Sequence, residues 1–489
     1  MTKKLNVLFA SAEVAPFAKT GGLGDVAGAL PASLLSNFSD QLDIRIIMPF
    51  HAAVKNRNPQ RRKIGDFSFN ANERQIDCNL FVAESDGVPV YLLDSQDINH
   101  DSPIYHGDWL LDGQKYATFS LALLEAVRYL DWRLDILHAN DWHTALSVYA
   151  LKTMYKDDPI FAGVKTILSI HNLPYNGWGS QDAMAALGYK ASSDADLPDW
   201  AKYTPLPMGI STADKTITVS PGYAREILTP EYGCGMEGYL RKHSDRVMGI
   251  LNGIDESAWD PAEDESISRN FSALELDKRI QNKLDLQTAL DFEVGEDIPL
   301  LVIVTRITEQ KGIPAILEAL PQLIDEKWQF ILLGSGDQQL EDWVRELTNQ
   351  YSDRMAGFIK YDDVIARVLY ASGDIFLMPS LYEPCGLSQM FAMRYGNIPV
   401  ATATGGLADS IVGYSDAPQS ATGFLYKQKN TEGLVDALKI ALRVYKDKEQ
   451  WRLMQLNAMN TDFSWTTSAG KYLDVYHSLT DFKDVSNEF

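Results

Sequence analysis

What most constrains this chain is a rhythm: short apolar runs, each closed by Gly, Pro, Asn or Asp, alternate with helix-length amphipathic stretches. Residues 5–10, 44–50, 88–93, 135–139, 166–171 and 216–220 read as buried strands, with helices over 25–35, 116–129 and 144–155. Apolar strands separated by helices predict a mostly parallel, doubly wound sheet covered on both faces. The rhythm stops over residues 255–296, which are polar with little β character, and restarts with strands at 300–305, 330–333, 374–379 and 399–403. Two Rossmann-like α/β domains follow, 1–250 and 251–462, joined near residues 248–253, with 463–489 as a C-terminal helical segment. Ligands of such sheets sit at the carboxyl ends of the strands, and two sets of ends facing each other would make a cleft. Residues 94–112 and 177–207 are rich in turn formers and read as loops over it.

Charge limits the partners. The 44 basic and 66 acidic residues leave a formal charge of −22, which disfavours nucleic acid or an anionic membrane surface and suits a neutral polymer such as a polysaccharide. An anionic nucleotide could bind only where a few cations are concentrated. Three cysteines among 489 residues make no disulfide framework, so a reducing, cytoplasmic setting is expected. The apolar run 5–10, broken soon after by Glu13, is too short for a secretory segment and reads as a first strand; no run approaches a membrane span.

Four segments carry chemistry. Residues 19–25, Lys-Thr-Gly-Gly-Leu-Gly-Asp, follow the first strand and open a helix, and residues 22–27 satisfy the G-x-G-x-x-G/A fingerprint of dinucleotide enzymes. However, about nine residues, including Pro16, separate strand from glycines, and the second strand ends Met48-Pro49-Phe50 with no acidic residue. Both count against a dehydrogenase. What remains is a helix N-terminus with exposed amides beside Lys19, able to hold an anion, or else a plain turn. Arg306 and Lys311 lie where the first strand of the second domain ends. Two cations near 4 Å from a leaving diphosphate would each contribute ~4 kcal/mol at an effective dielectric of 20, before desolvation. That makes a metal unnecessary, and no carboxylate cluster has magnesium-ligand spacing; no metal and no cofactor are expected.

Glu383-Pro384-Cys385-Gly386-Leu387-Ser388 forms a second glycine turn before a helix. Its free N–H groups suit phosphate, and Glu383 suits sugar hydroxyls or a cationic transition state. Cys385, without a partner cysteine, reads by itself as a packing residue and is counted with the turn in the substrate-binding set. Residues 137–143, Leu-His-Ala-Asn-Asp-Trp-His, and 169–173, Ser-Ile-His-Asn-Leu, end strands of the first domain. Their polar side chains suit sugar hydroxyls, with Trp142 as an aromatic platform. Asn252 sits in a turn at the domain joint and either reaches the cleft or serves as a hinge. No G-x-S-x-G occurs, so a serine hydrolase is unsupported.

Taken together, KTGGLGD, HANDWH, SIHNL, VSPGYAREI, YGCGMEG, LNGID, TRITEQKG, EPCGLSQ and TGGLADS occur in the order and approximate spacing of the bacterial glycogen synthase and plant starch synthase family, which the chain resembles from about Leu5 to Tyr476. The resemblance implies two facing Rossmann-like domains (the GT-B fold), the last helix crossing back to the first. It also implies retaining transfer of glucose from ADP-glucose to the non-reducing 4-OH of an α-1,4-glucan: glycogen, starch or a malto-oligosaccharide. By motif, it implies that Lys19, Gly21 and Gly22 contact the sugar-diphosphate and that Arg306 and Lys311 stabilise its departure. His171, Asn252 and Glu383 would bind the glucosyl ring, and Asp25 and Asp141 would line the acceptor or sugar side. Gly386, Leu387 and Ser388 would hold the distal phosphate, and Tyr361 would stack on adenine. Relatives outside the family often carry E-x7-E; here the residue eight positions after Glu383 is Phe391.

Overall fold

The computed structural model describes residues 4–480, and the chain divides into two compact units, Met1–Gly253 with Trp465–Phe489, and Ile254–Ser464. The first unit carries a nine-stranded sheet: β1 (Leu5–Ala10), β2 (Leu42–Pro49), β3 (Arg62–Ala71), β4 (Arg74–Ser85), β5 (Val88–Ser95), β6 (Ile136–Asn140), β7 (Lys165–Ile170), β8 (Lys215–Thr218) and β9 (Val247–Gly249). Their spatial order is β3-β4-β5-β2-β1-β6-β7-β8-β9. Pairing is parallel from β5 to β9 and antiparallel for β3–β4 and β4–β5. The antiparallel strands β3 and β4 escape the apolar-run pattern because their burial alternates, one face remaining wet. Each is followed by a two-residue turn, Asn72-Glu73 with Asn72 at φ +55° and Asp86-Gly87 with φ +50° and +79°, the left-handed conformation that tight hairpins require.

The second unit carries β10 (Leu300–Val304), β11 (Gln329–Gly334), β12 (Met355–Ile359), β13 (Ile375–Met378), β14 (Ile398–Thr402) and β15 (Phe424–Tyr426) in the order β12-β11-β10-β13-β14-β15, all parallel. The central strands β10 and β13 are buried almost throughout, as a sheet covered on both faces demands. A buried ion pair joins strand starts to the preceding helix: Lys283 Nζ lies 2.7 Å from Asp374 Oδ2, which also accepts from Leu300 N–H at 2.9 Å. The helix Trp465–Leu479 follows the second unit in sequence yet completes the core of the first. Trp465, Tyr472, Leu473, Val475 and Tyr476 pack with residues of β1, β2 and the helix Gly22–Phe38. Among the described residues no helix is long and apolar enough to cross a membrane.

Candidate active site

In the second unit β10 and β13 are neighbours, but the chain proceeds from β10 to one side and from β13 to the other. Their carboxyl ends therefore form a topological switch point, where ligands of doubly wound sheets collect. A small pocket lies there, its polar lining drawn from Thr305, Lys311, Ser380, Glu383 and Ser388, with Gly386 and Leu387 beside them. Gly312 makes this geometry possible. It has φ +70°, and a Cβ there would meet Pro379 O at 2.1 Å, so only glycine lets the turn after β10 press against the chain leaving β13. Leu381 N–H then donates to Gln310 O at 2.8 Å, and Gln310 Nε2 to Tyr382 O at 3.1 Å. Lys311 Nζ consequently lies 2.5 Å from Glu383 Oε2, and Ser380 Oγ donates to the same oxygen at 3.1 Å. Both charged side chains are largely buried, 15% and 8% exposed.

The Glu383–Ser388 turn is held from behind. A Cβ on Gly406 would lie 2.1 Å from Cys385 O, and Gly406 N–H donates to Glu383 O at 3.0 Å. Gln389, fully buried, donates to Cys385 O at 3.2 Å, Gly386 O at 3.0 Å and Ser410 Oγ at 3.1 Å. Cys385 is itself buried within this packing. Ser388 is hydrogen-bonded to Tyr370, whose phenol is pushed up by burial. Arg306 stands exposed just past β10. Tyr361, beyond β12, is 80% exposed, its hydroxyl donating to Asp363 Oδ1 at 2.7 Å.

The first unit has its own switch point between β1 and β6. The glycine loop leaves β1 there and is seated by close approach: a Cβ on Gly28 would lie 2.5 Å from Ala15 O, and Ala15 N–H donates to Gly24 O at 2.9 Å. Lys19 Nζ is 2.7 Å from Asp25 Oδ1, both about two-fifths exposed. One expectation is corrected. The amides at the mouth of this loop are not all open, because the buried carboxylate of Glu13 accepts from Thr20 N–H at 2.5 Å and Gly21 N–H at 3.0 Å.

Beside it, Asp141 opens the helix Trp142–Thr153 at φ +54°, ψ −173°. A non-glycine residue there stores ~1–3 kcal/mol of strain, of the kind that clusters at functional positions. It is locked by Asp141 N–H donating to Ser169 O at 2.8 Å and Asp141 O accepting from Ala145 N–H at 3.1 Å. Burial pushes its carboxyl up to about 7, although Oδ1 accepts from His171 N–H at 2.7 Å. His171 Nε2 is 3.0 Å from Asn140 Oδ1, while Asn140 Nδ2 donates to Ala10 O at 3.0 Å. That commits Asn140 Oδ1 as acceptor, places the imidazole proton on Nε2, and leaves Nδ1 as an acceptor. Burial pushes His171 down to about 4, so the ring is neutral near pH 7. Asn252 is 5% exposed with Oδ1 buried and unpartnered, a state that a ligand hydroxyl would relieve.

Three side chains of the same motif are packed inside the unit. Trp142 is 5% exposed, its ring 5.2 Å from Tyr116 and 4.4 Å from His143, so it is no open platform. His138 is fully buried between Tyr476 OH and Ser169 Oγ, each at 2.8 Å, and His143 is buried too. Motif reading assigned Glu13 no part in the site, and gave Gln389 none beyond closing the EPCGLSQ segment; a lone carboxylate three residues beyond a buried strand was the only signal for the first. Among the described residues no group of three or more His, Cys, Asp or Glu has metal-holding geometry.

Comparison with known proteins follows the same division. Residues 6–242 match the starch synthase catalytic domain family and residues 291–453 match glycosyl transferases group 1. Glycogen synthase of Clostridium perfringens (strain 13 / Type A) is 38% identical over 482 residues, spanning 98% of this chain and 99% of the relative. That of Clostridioides difficile (strain 630) is 38% identical over 486 residues, spanning 98% and 100%. Among solved structures, the catalytic domain of starch synthase IV from Arabidopsis thaliana, bound to ADP and acarbose, superposes with a TM-score of 0.87 at 30% identity, over 98% of this chain and 99% of that one. Sucrose-phosphate synthase from Thermosynechococcus elongatus, at TM-score 0.60 and 17% identity over 97% and 99% of the two chains, shares the fold.

Proposed function

The chain belongs to the bacterial glycogen synthase and starch synthase family, GT-B glucosyltransferases of α-glucan synthesis, and from that premise we propose that its donor is ADP-glucose and its acceptor the non-reducing 4-OH of an α-1,4-glucan. The observation that carries the reading is the pocket at the β10–β13 switch point, where a nearly buried Lys311–Glu383 pair stands beside the Gly386–Leu387–Ser388 turn. The ADP in the Arabidopsis relative supports an adenine nucleotide as leaving group, and its acarbose supports a glucan-like acceptor.

In this scheme Lys311 and Arg306 neutralise the diphosphate as its bond to the glucosyl carbon breaks, each contributing ~4 kcal/mol at 4 Å in an effective dielectric of 20, before desolvation. The Gly386, Leu387 and Ser388 turn, with Cys385 packed behind it, receives the distal phosphate, and the exposed ring of Tyr361 stacks on adenine. Glu383, His171 and Asn252 accept from glucosyl hydroxyls; the neutral imidazole of His171 leaves Nδ1 open for this, and Asn252 Oδ1 has no partner of its own. Lys19, Gly21 and Gly22 border the sugar-diphosphate, and Asp25 and Asp141 the sugar or acceptor side. The reaction is a front-face displacement: the acceptor O4 forms the new bond on the side the phosphate leaves, and its proton passes to the departing phosphate oxygen. Configuration is retained and no enzymic nucleophile is used.

Arg306→Ala or Lys311→Ala should each lower kcat/KM by ~10²–10³, the scale of losing one preorganised charge donor. The assay is release of ADP from ADP-glucose with glycogen as acceptor, run in competition with UDP-glucose. Near-normal turnover in either variant removes that residue from the scheme, and preference for UDP-glucose removes the donor assignment.

A further inference from the structure

Glu13 is the most heavily engaged carboxylate near the glycine loop, and nothing in the scheme above uses it. It is 3% exposed. Oε2 accepts from Thr20 N–H at 2.5 Å and Gly21 N–H at 3.0 Å; Oε1 accepts from Thr20 Oγ1 at 2.8 Å and Tyr105 OH at 2.5 Å. Tyr105 is in turn fixed by a buried cation. Lys115 Nζ donates to Pro103 O at 2.6 Å, Ile104 O at 3.0 Å and His51 Nδ1 at 2.9 Å, and Tyr116 OH donates to Ile104 O at 2.7 Å. A buried polar network of this kind is tolerated only when its members are satisfied, and once satisfied it is rigid.

The consequence falls on Lys19. Helix position 24 is tightly covered: a Cβ there would lie 3.0 Å from Lys19 Cβ and Cγ and 3.3 Å from Glu13 Oε2. The closed loop thus lays the lysine stem across Gly24 and brings its ammonium to Asp25 at 2.7 Å. Opening the loop would free that stem.

We propose that Glu13 is a positioning residue for the transfer: its carboxylate takes the anion's place at the Thr20 and Gly21 amides, folds residues 19–22 around itself, and so makes Lys19 and the open face of Gly22 the loop's contact with the donor's diphosphate. This rests on the donor reading above. It adds that Gly21 contributes bare space rather than its N–H, which is already given to Glu13. The carboxylate also keeps a phosphate from settling into the loop mouth, where like charge would repel it.

The variants separate position from charge. Glu13→Gln can keep the clamp, its carbonyl accepting the two N–H bonds while its amide donates to the Thr20 and Tyr105 hydroxyls, which can turn. Glu13→Ala cannot. Binding of ADP is read by calorimetry on the full chain, alongside KM for ADP-glucose, KM for glycogen and kcat. Glu13→Ala is expected to weaken ADP and raise KM for ADP-glucose about tenfold, leaving KM for glycogen within about twofold, with Glu13→Gln within about threefold of wild type. On a Lys19→Ala background, Glu13→Ala is expected to add less than about twofold, because both act through the same ammonium. Thr20→Val, at an exposed position, removes one clamp bond without burdening the core and should weaken ADP about threefold; it decides the matter if Glu13→Ala does not fold. Unchanged ADP affinity in Thr20→Val and in any folded Glu13→Ala, additive losses with Lys19→Ala, or a Glu13→Gln enzyme as impaired as Glu13→Ala would each overturn the proposal. A wild-type protein that binds no ADP would instead defeat the donor assignment, so the two failures are distinct.

Discussion

Two residues show how local chemistry here can be tested without disturbing the fold. A Cβ added at Gly21 or Gly22 would meet no atom within 4 Å. Gly22→Ala is therefore expected to unfold at the wild-type temperature, yet to raise KM for the donor about tenfold, the 1–3 kcal/mol of forced overpacking falling on the substrate alone. Wild-type KM would show that no ligand approaches that face. Asp141 offers a pH signature. Burial pushes its folded-state carboxyl up to about 7 from its ordinary 3.8. An acid raised in this way binds more protons folded than unfolded between those two values, so it costs stability progressively as pH rises through that window and no further above it. At ~1.4 kcal/mol per pH unit, the wild type should lose about 2–3 kcal/mol between pH 5 and pH 8 through this group. Asp141→Asn, which keeps an acceptor for His171 N–H and tolerates a positive φ, should flatten that slope in urea titrations. An equal slope in both proteins would show that Asp141 titrates normally.

At the scale of elements, legibility followed periodicity. β10 and β13 are continuous apolar runs, and β1, β2, β6 and β7 are mostly buried with only a few polar residues among apolar ones, so their sequences announce themselves. β3 and β4 alternate instead, and β12 and β15 are short strands with largely half-exposed residues, so none stands out from neighbouring loops. The Asp86-Gly87 pair was the readable clue to the hairpin, and the apolar-run pattern passed over it. The same contrast governs the candidate site. Lys311, Glu383 and the Gly386 turn could be placed because each follows a legible strand, and the folded chain brings them into one pocket. Glu13 could not, because its meaning lies in four donors, one of them from Tyr105, 92 residues away in sequence. Trp142 misled for the opposite reason: its type suggests a sugar platform, but only packing reveals that Tyr116 and His143 cover it.

For the molecule as a whole, the telling feature is that the first unit is discontinuous and the second is not. Residues 254–464 form their own sheet and core. Residues 1–253 lack the helix Trp465–Leu479, whose Tyr476 hydroxyl meets His138 Nδ1 at 2.8 Å and whose Trp465, Tyr472 and Leu473 join the core beneath β1. The segment 254–464 produced alone should unfold cooperatively. A chain ending at residue 463 should expose apolar surface, bind a hydrophobic dye and aggregate; a well-folded, dye-silent truncation would refute this. On the ribosome the asymmetry becomes a matter of timing. The half that emerges first stays unfinished, its greasy seam open, through the synthesis of more than two hundred later residues. The half that emerges last can reach its native form earlier. A cell making this protein must therefore shelter a waiting N-terminal half, and a ribosome that stalls late in the message leaves behind the more adhesive of the two pieces.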